Sequence, residues 1–169
     1  MILDAKILKR CVDAGMCEQG IMLWKDVERL IPFAKKEIDF LLKTRVLSHK
    51  EIIDLFGLDY LNKRDIFIDQ AIEDKAFKQE KYLDIRTVFL GCKGNVRLYT
   101  TNNIFIIGDN SEMSVRVFGE GVLTIRLYSG SVLDLSVKRN AQVMIFNYGG
   151  IVRKIHNDKG FVKIENITL

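Results

Sequence analysis

The chain contains one proline, two histidines and three cysteines, so it is poor in the residues that kink helices, ligate zinc or form disulfides. With Pro32 alone, and no Ser/Gly-rich or single-charge tract, no stretch reads as a flexible linker. His49 and His156 lie in different halves, and neither has a cysteine or carboxylate at metal-ligand spacing. Cys11 and Cys17 are six apart, which is no zinc spacing, and Cys92 stands alone. No metal and no cofactor is expected. An odd cysteine count is no disulfide framework, and Asp4 and Lys6 interrupt the place where a secretion signal would be apolar. The expectation is a cytoplasmic protein with reduced thiols. No run approaches the roughly 18 apolar residues of a membrane helix, so no membrane partner is expected.

Charge of one sign is also missing. The net charge is +4 and the pI about 8.9. Residues 1–65 hold 12 basic and 11 acidic side chains, and residues 66–169 hold 14 and 11. Signs are interspersed in both parts. A nucleic-acid binder gathers its cations into a stripe, because each neutralised phosphate adds affinity. This distribution reads as an ordinary solvated surface.

What is present divides into two patterns. Leu3, Ile7, Leu8 and Cys11 fall on one helical face, stopped by Gly15. Trp24, Val27, Leu30 and Ile31 form a second face. Pro32, which has no N–H to donate, is expected to break or restart that helix. Ala34, Ile38, Leu41 and Leu42 continue beyond it. Ser48 and Glu51 make a capping-box pair ahead of Ile52, Ile53 and Phe56, with Gly57 as the stop. Its exposed residues, His49, Lys50, Glu51 and Asp54, include two acids that would repel phosphates, which argues against a helix-turn-helix reader. Ile66-Phe67-Ile68 is a short β-type run, and the charged residues 69–86 read as an irregular connection with one helical turn.

From about residue 110 a repeat sets in. Met113, Val115 and Val117 alternate with other residues, as do Leu123, Ile125 and Leu127, then Leu133, Leu135 and Val137, then Val143 and Ile145. Each set starts ten residues after the last. Turn residues (Asn110, Gly119 and Gly121, Gly130, Asn140, Gly150, Gly160) fall between them, and the last unit, Val162 and Ile164, slips by one. Alternation places these side chains on one face of a strand, and the fixed interval repeats a strand and a tight turn as a unit. A solenoid of parallel strands and an antiparallel β-meander both satisfy this pattern. In either, Ile125 and Leu135 belong to the core.

The segments Gly108-Asp-Asn-Ser-Glu-Met-Ser-Val, Arg139-Asn-Ala-Gln-Val-Met-Ile and Tyr148-Gly-Gly-Ile-Val resemble the short repeats of single-stranded β-helices found in bacterial and phage proteins. The layout, a helical segment ahead of such repeats, is similar to that of a family of small uncharacterised proteins of gut anaerobes and their phages and mobile elements. The resemblance implies a solenoid over a meander and a phage or mobile-element origin. It carries no activity or site residues.

Catalytic patterns are scarce. Gly91-Cys-Lys-Gly94 lacks the spacing of a phosphate-binding loop and leads into a strand, so it reads as a β-turn. The outward strand positions, from Ser114 through Thr124 and Met144, offer Asp134 as their one acid, which argues against a two-carboxylate glycosidase. Arginine and aromatic residues recur there instead. Arg116, Phe118, Arg126, Tyr128, Phe146 and Tyr148 are the candidate binding residues, with Ser136 and Lys138 in the same series. If two units make one coil, Arg126 stacks on Phe146 and Tyr128 on Tyr148. Such residues are those of interface hot spots. They also serve to stabilise a sheet or to lie beneath the helices.

The expected fold is α+β: a helical region over 1–65, a connection over 66–91, and a β-solenoid over 92–169 whose open end the helices cap. The expected function is non-enzymatic, as a protein-interaction or structural protein. The alternative is a nucleic-acid or nucleotide binder acting against or within a host defence system. Asn166, Ile167, Thr168 and Leu169 add no polar tail, which suggests a homo-oligomer through the C-terminal coil or the Arg126/Tyr128/Phe146/Tyr148 face.

Overall fold

The computed structural model describes residues 5–77, 86–99, 103–118, 120–138 and 140–168. The chain divides into two compact units, residues 1–57 and 58–169.

The first unit is helical: α1 (Ala5–Asp13), α2 (Glu18–Leu23), α3 (Val27–Lys36), α4 (Ile38–Thr44) and α5 (His49–Phe56). Its centre is Cys11, Trp24 and Leu30, with Ile7, Leu8, Val27, Leu55 and Phe56 packed around them. The capping box forms as expected: Ser48 Oγ accepts from Glu51 N at 3.3 Å, and Glu51 Oε2 accepts from Ser48 N at 2.9 Å. The Ser48 backbone N–H and, next, the Ser48 hydroxyl both donate to the Glu51 carboxyl and hold it below its ordinary value. Pro32 does not break its helix. It sits inside α3, and the break comes at Glu37. A proline there forfeits one backbone bond, to the carbonyl of Glu28. Asp26 caps the start, and the buried Leu30 and Ile31 hold the turn in place.

The second unit opens with α6 (Leu58–Lys63) and continues as strands only: β1 (Ile66–Ile68), β2 (Ala71–Phe77), β3 (Arg86–Leu90), β4 (Lys93–Leu98), β5 (Asn103–Gly108), β6 (Glu112–Val117), β7 (Gly121–Tyr128), β8 (Val132–Val137), β9 (Ala141–Tyr148), β10 (Ile151–Asn157) and β11 (Phe161–Asn166). Odd strands form one sheet in the order β1-β3-β5-β7-β9-β11 (sheet A), and even strands the other, β10-β8-β6-β4-β2 (sheet B). Every pair of neighbouring strands is parallel among the described residues. The fold is therefore α+β with a β-solenoid of two strands per coil, and the antiparallel meander is excluded.

The ten-residue interval is half a coil. Successive units go to opposite sheets, and true neighbours lie twenty residues apart, as Leu123 and Val143 do. Inward residues of both sheets form one core, in which Ile125 and Val115 are fully buried and Leu135 is 2 % exposed. The solenoid starts earlier than residue 92. The segment expected to connect contains β1, β2 and β3, while its residues 78–85 lie outside the described ones, as do Leu3, Asp4, Gly119, Arg139 and Leu169. β2 escapes a reading by alternation because a bulge between Ile72 and Lys75 sets Glu73 and Asp74 against the single Asn95 and breaks the period.

Corners turn on small or capped residues. Ser111 Oγ accepts the N–H of Cys92 at 3.0 Å and lies 2.7 Å from Gly108 O, so one buried hydroxyl ties two successive corners. Gly91-Cys-Lys-Gly94 is such a corner, with Cys92 in the core. The slip of the last unit arises at the corner before β11, where Asn157 to Phe161 spans what Val137 to Gln142 spans one coil earlier, one residue shorter. The corner before β10 is short as well. Tyr128-Ser-Gly-Ser-Val132 becomes Tyr148-Gly-Gly-Ile151, one residue shorter. The shorter path is open only to glycine: a Cβ on Gly150 would lie 2.5 Å from Leu127 Cγ and 2.8 Å from Tyr128 O.

Candidate interaction surfaces of the solenoid

The six candidate binding residues divide between the two sheets. Arg126, Phe146, Tyr128 and Tyr148 belong to sheet A, on β7 and β9, where Arg126 pairs with Phe146 and Tyr128 with Tyr148. The tyrosine rings stack, 4.9 Å apart and 8° from parallel. Arg116 belongs to sheet B, between Arg97 and Ser136. Phe118, just beyond β6, stacks on Tyr99 at 5.0 Å and 11°. One flat patch therefore does not form. Tyr128 is also buried, at 7 % exposure, although its place in the alternation faces outward. Rings stacked along the solenoid spend a face on each other, which suits a stabilising ladder better than a platform for a flat ligand.

On sheet B the outward rows run Lys93–Glu112–Val132–Ile151, Asn95–Ser114–Asp134–Lys154 and Arg97–Arg116–Ser136–His156. β10 carries a bulge at Arg153. The extra residue turns its guanidinium onto two acids of the sheet, Asp134 and Glu112. Nε lies 3.0 Å from Asp134 Oδ1, and Nη1 lies 2.7 Å from Glu112 Oε1. Hydrogen bonding from Arg153 holds the Asp134 carboxyl below its ordinary value. Arg97 is paired in turn, with Nε 3.0 Å from Asp74 Oδ1. Sequence reasoning missed the role of Arg153. Its signal was the short Tyr148-Gly-Gly-Ile151 corner, which the insertion at Arg153 offsets so that Lys154–Asn157 return to the twenty-residue interval.

The two ends of the solenoid differ most. At the first coil the ammonium of Lys75 sits over the ring of Phe67, 4.5 Å from its centre, and 5.7 Å from that of Phe77. Phe67, Phe77, Phe89 and Phe105 pack together beside it. At the last coil the inward residues are Val152 and Ile155 on β10 and Val162 and Ile164 on β11. Ile155 is 41 % exposed and Ile164 40 %, whereas their row-mates Leu135 and Ile145 are 2 % and 1 % exposed. Ile151, Phe161 and Ile167 add further exposed apolar surface around them.

The remaining chemistry-bearing residues are dispersed. All three cysteines are free thiols; burial pushes those of Cys11 and Cys92 up, and Cys17 is exposed. His156 faces outward from sheet B and His49 begins α5. Among the described residues there is no group of three or more His, Cys, Asp or Glu that could hold a metal ion, and no helix is long and apolar enough to cross a membrane. No protein-family model, curated protein or solved structure matches the chain.

Proposed function

We propose that this is a non-enzymatic interaction protein whose solenoid offers its C-terminal coil to a protein partner. The uncovered core row at that coil carries the reading. Ile155 and Ile164 occupy positions that are sealed in every inner coil, and here they face water. Covering them is worth about 25 cal/mol for each Å² of apolar surface removed. The free edge of β11 supplies unpaired backbone groups for the same partner. Two acids of sheet B, Glu112 and Asp134, share one guanidinium and a third, Asp74, pairs with Arg97, an arrangement that favours a structural over a catalytic role. Nucleic-acid binding gains less support, since Arg97 and Arg153 already have carboxylate partners. A cytoplasmic location fits three free thiols. Origin in a phage or mobile element rests on the resemblance of the repeats alone.

The test compares proteins captured from the source cells by the wild type, by the double variant Ile155→Lys/Ile164→Lys and by Phe118→Ser. A partner lost with the first variant and kept with the second supports the end coil. A partner lost only with Phe118→Ser would move the interaction to the side of the solenoid.

A further inference from the structure

We infer that the partner of β11 is a second copy of the same strand, paired antiparallel about a two-fold axis centred on Ile164. This rests on reading the C-terminal coil as the interaction surface.

The two edges of that coil are not equivalent. β10 is bulged at Arg153 and carries Lys154 and His156 on its outer face. Bulges and edge cations are the devices by which natural sheets refuse a further strand. β11 is regular along its whole length: Phe161–Asn166 follows β9 residue for residue, and Ile167 N continues the ladder onto Asn147 O at 2.8 Å. Pairing therefore falls to β11.

A two-fold axis pairs residue i of one copy with j of the other and j with i, and it reverses strand direction. Inward residues must meet inward residues, so the centre of symmetry lies on one residue and moves in whole-residue steps. Centred on Lys163, two ammonium groups oppose each other. Centred on Glu165, two carboxylates do, and Ile164 meets Asn166. Centred on Ile164, Lys163 opposes Glu165 of the second copy, twice by symmetry. Ile164 then meets its own mate, Phe161 meets Ile167, and Val162 meets Asn166. Within one copy Lys163 Nζ and Glu165 Oε1 are already 2.5 Å apart, so the two charges share a face, and the second copy extends the pair into a four-charge row. Phe161, 55 % exposed, and Ile167, 36 % exposed, would cover each other outside that row. Opposite charges across strands are favourable and like charges unfavourable, so the sequence of β11 selects this register.

Sedimentation equilibrium of the full chain over a wide concentration range tests it. The wild type is expected to dimerise, and Ile164→Lys to be monomeric. Lys163→Glu and Glu165→Lys each set like charges across the axis and should weaken the dimer about tenfold or more. The double variant Lys163→Glu/Glu165→Lys should restore it. Urea midpoints of each variant at concentrations where it is monomeric separate loss of pairing from loss of folding. A wild type that stays monomeric, or a dimer indifferent to both Ile164→Lys and the charge reversals, would overturn the inference. A monomer that still loses a captured protein on Ile155→Lys/Ile164→Lys would overturn the second copy while leaving the end coil as the interaction surface.

Discussion

The first and last coils of the solenoid meet the same problem, a stack of parallel strands that has to stop. At the first, a bulge in β2 sets Glu73 and Asp74 against the single Asn95, Asp74 takes a left-handed φ of 46°, and Lys75 is delivered to an inward row, where its ammonium lies over Phe67. An inward cation is hard for another strand to cover, because the newcomer would have to desolvate it. At the last coil the same row ends in Ile155, and the opposite sheet ends in Ile164. Only β10 is blunted. On the function proposed above, the asymmetry separates stability, which both ends supply through the shared core, from recognition, which would fall to the β11 edge.

The sharpest way to break this comparison is to place one charge at equivalent depth in two coils. Leu135→Asp puts an unpaired carboxylate in the sealed core and should cost several kcal/mol, on the order of 4, in urea unfolding. Ile164→Asp should cost within about 1 kcal/mol for the monomer, because water already reaches that position. Equal losses would mean that the last coil is as closed as the inner ones. A smaller effect is expected from Lys75→Leu. Losing the cation over Phe67 should change monomer stability by less than about 1 kcal/mol. It should, however, unblock the first coil, so that light scattering shows concentration-dependent chains with both ends engaged. An unchanged mass would show that the bulge alone closes that end.

The smallest effect concerns the guard on β10. Asp134 has a depressed pKa in the folded protein, so its stabilising contribution is present above the unfolded value, near pH 4, and is lost as pH falls through the folded value. Arg153→Ala removes the cause. The carboxyl of Asp134 should then titrate close to its ordinary value by NMR, and the decline in stability on acidification should be shallower than in the wild type. An Asp134 titration unmoved by the substitution would mean that Arg153 is not its partner in solution.

Much of this architecture was legible in the sequence, for a physical reason: alternation at a fixed interval of ten leaves few ways to build a core. Ile125, Leu135 and their row-mates could be placed inside before any strand was paired, and Ser48 and Glu51 announced their cap. What stayed hidden was whatever breaks the period. Lys75 reads as one charge among several in Ala71–Phe77, because a bulge rather than alternation turns it inward. Pro32 reads as a stop, because the forces that keep α3 intact around it are tertiary. The candidate binding residues share repeat positions, but an interval of ten alternates between sheets, so Arg116 and Arg126 are parted while Tyr128 and Tyr148 are joined. Ile164 looked like any other core position, since neighbours twenty residues away decide whether such a position is covered.

The middle of the solenoid behaves as an interchangeable part. β7 pairs with β5 and with β9 at an offset of twenty residues throughout, and β8 pairs with β6 at the same offset. Residues 121–140 are therefore a complete coil whose top and bottom fit the same mould. Copying that stretch would lengthen the molecule by one step of about 4.8 Å while leaving Lys75 at one terminus and Ile164 at the other. Length and end chemistry can thus vary independently, as in a ruler whose graduations are added in the middle.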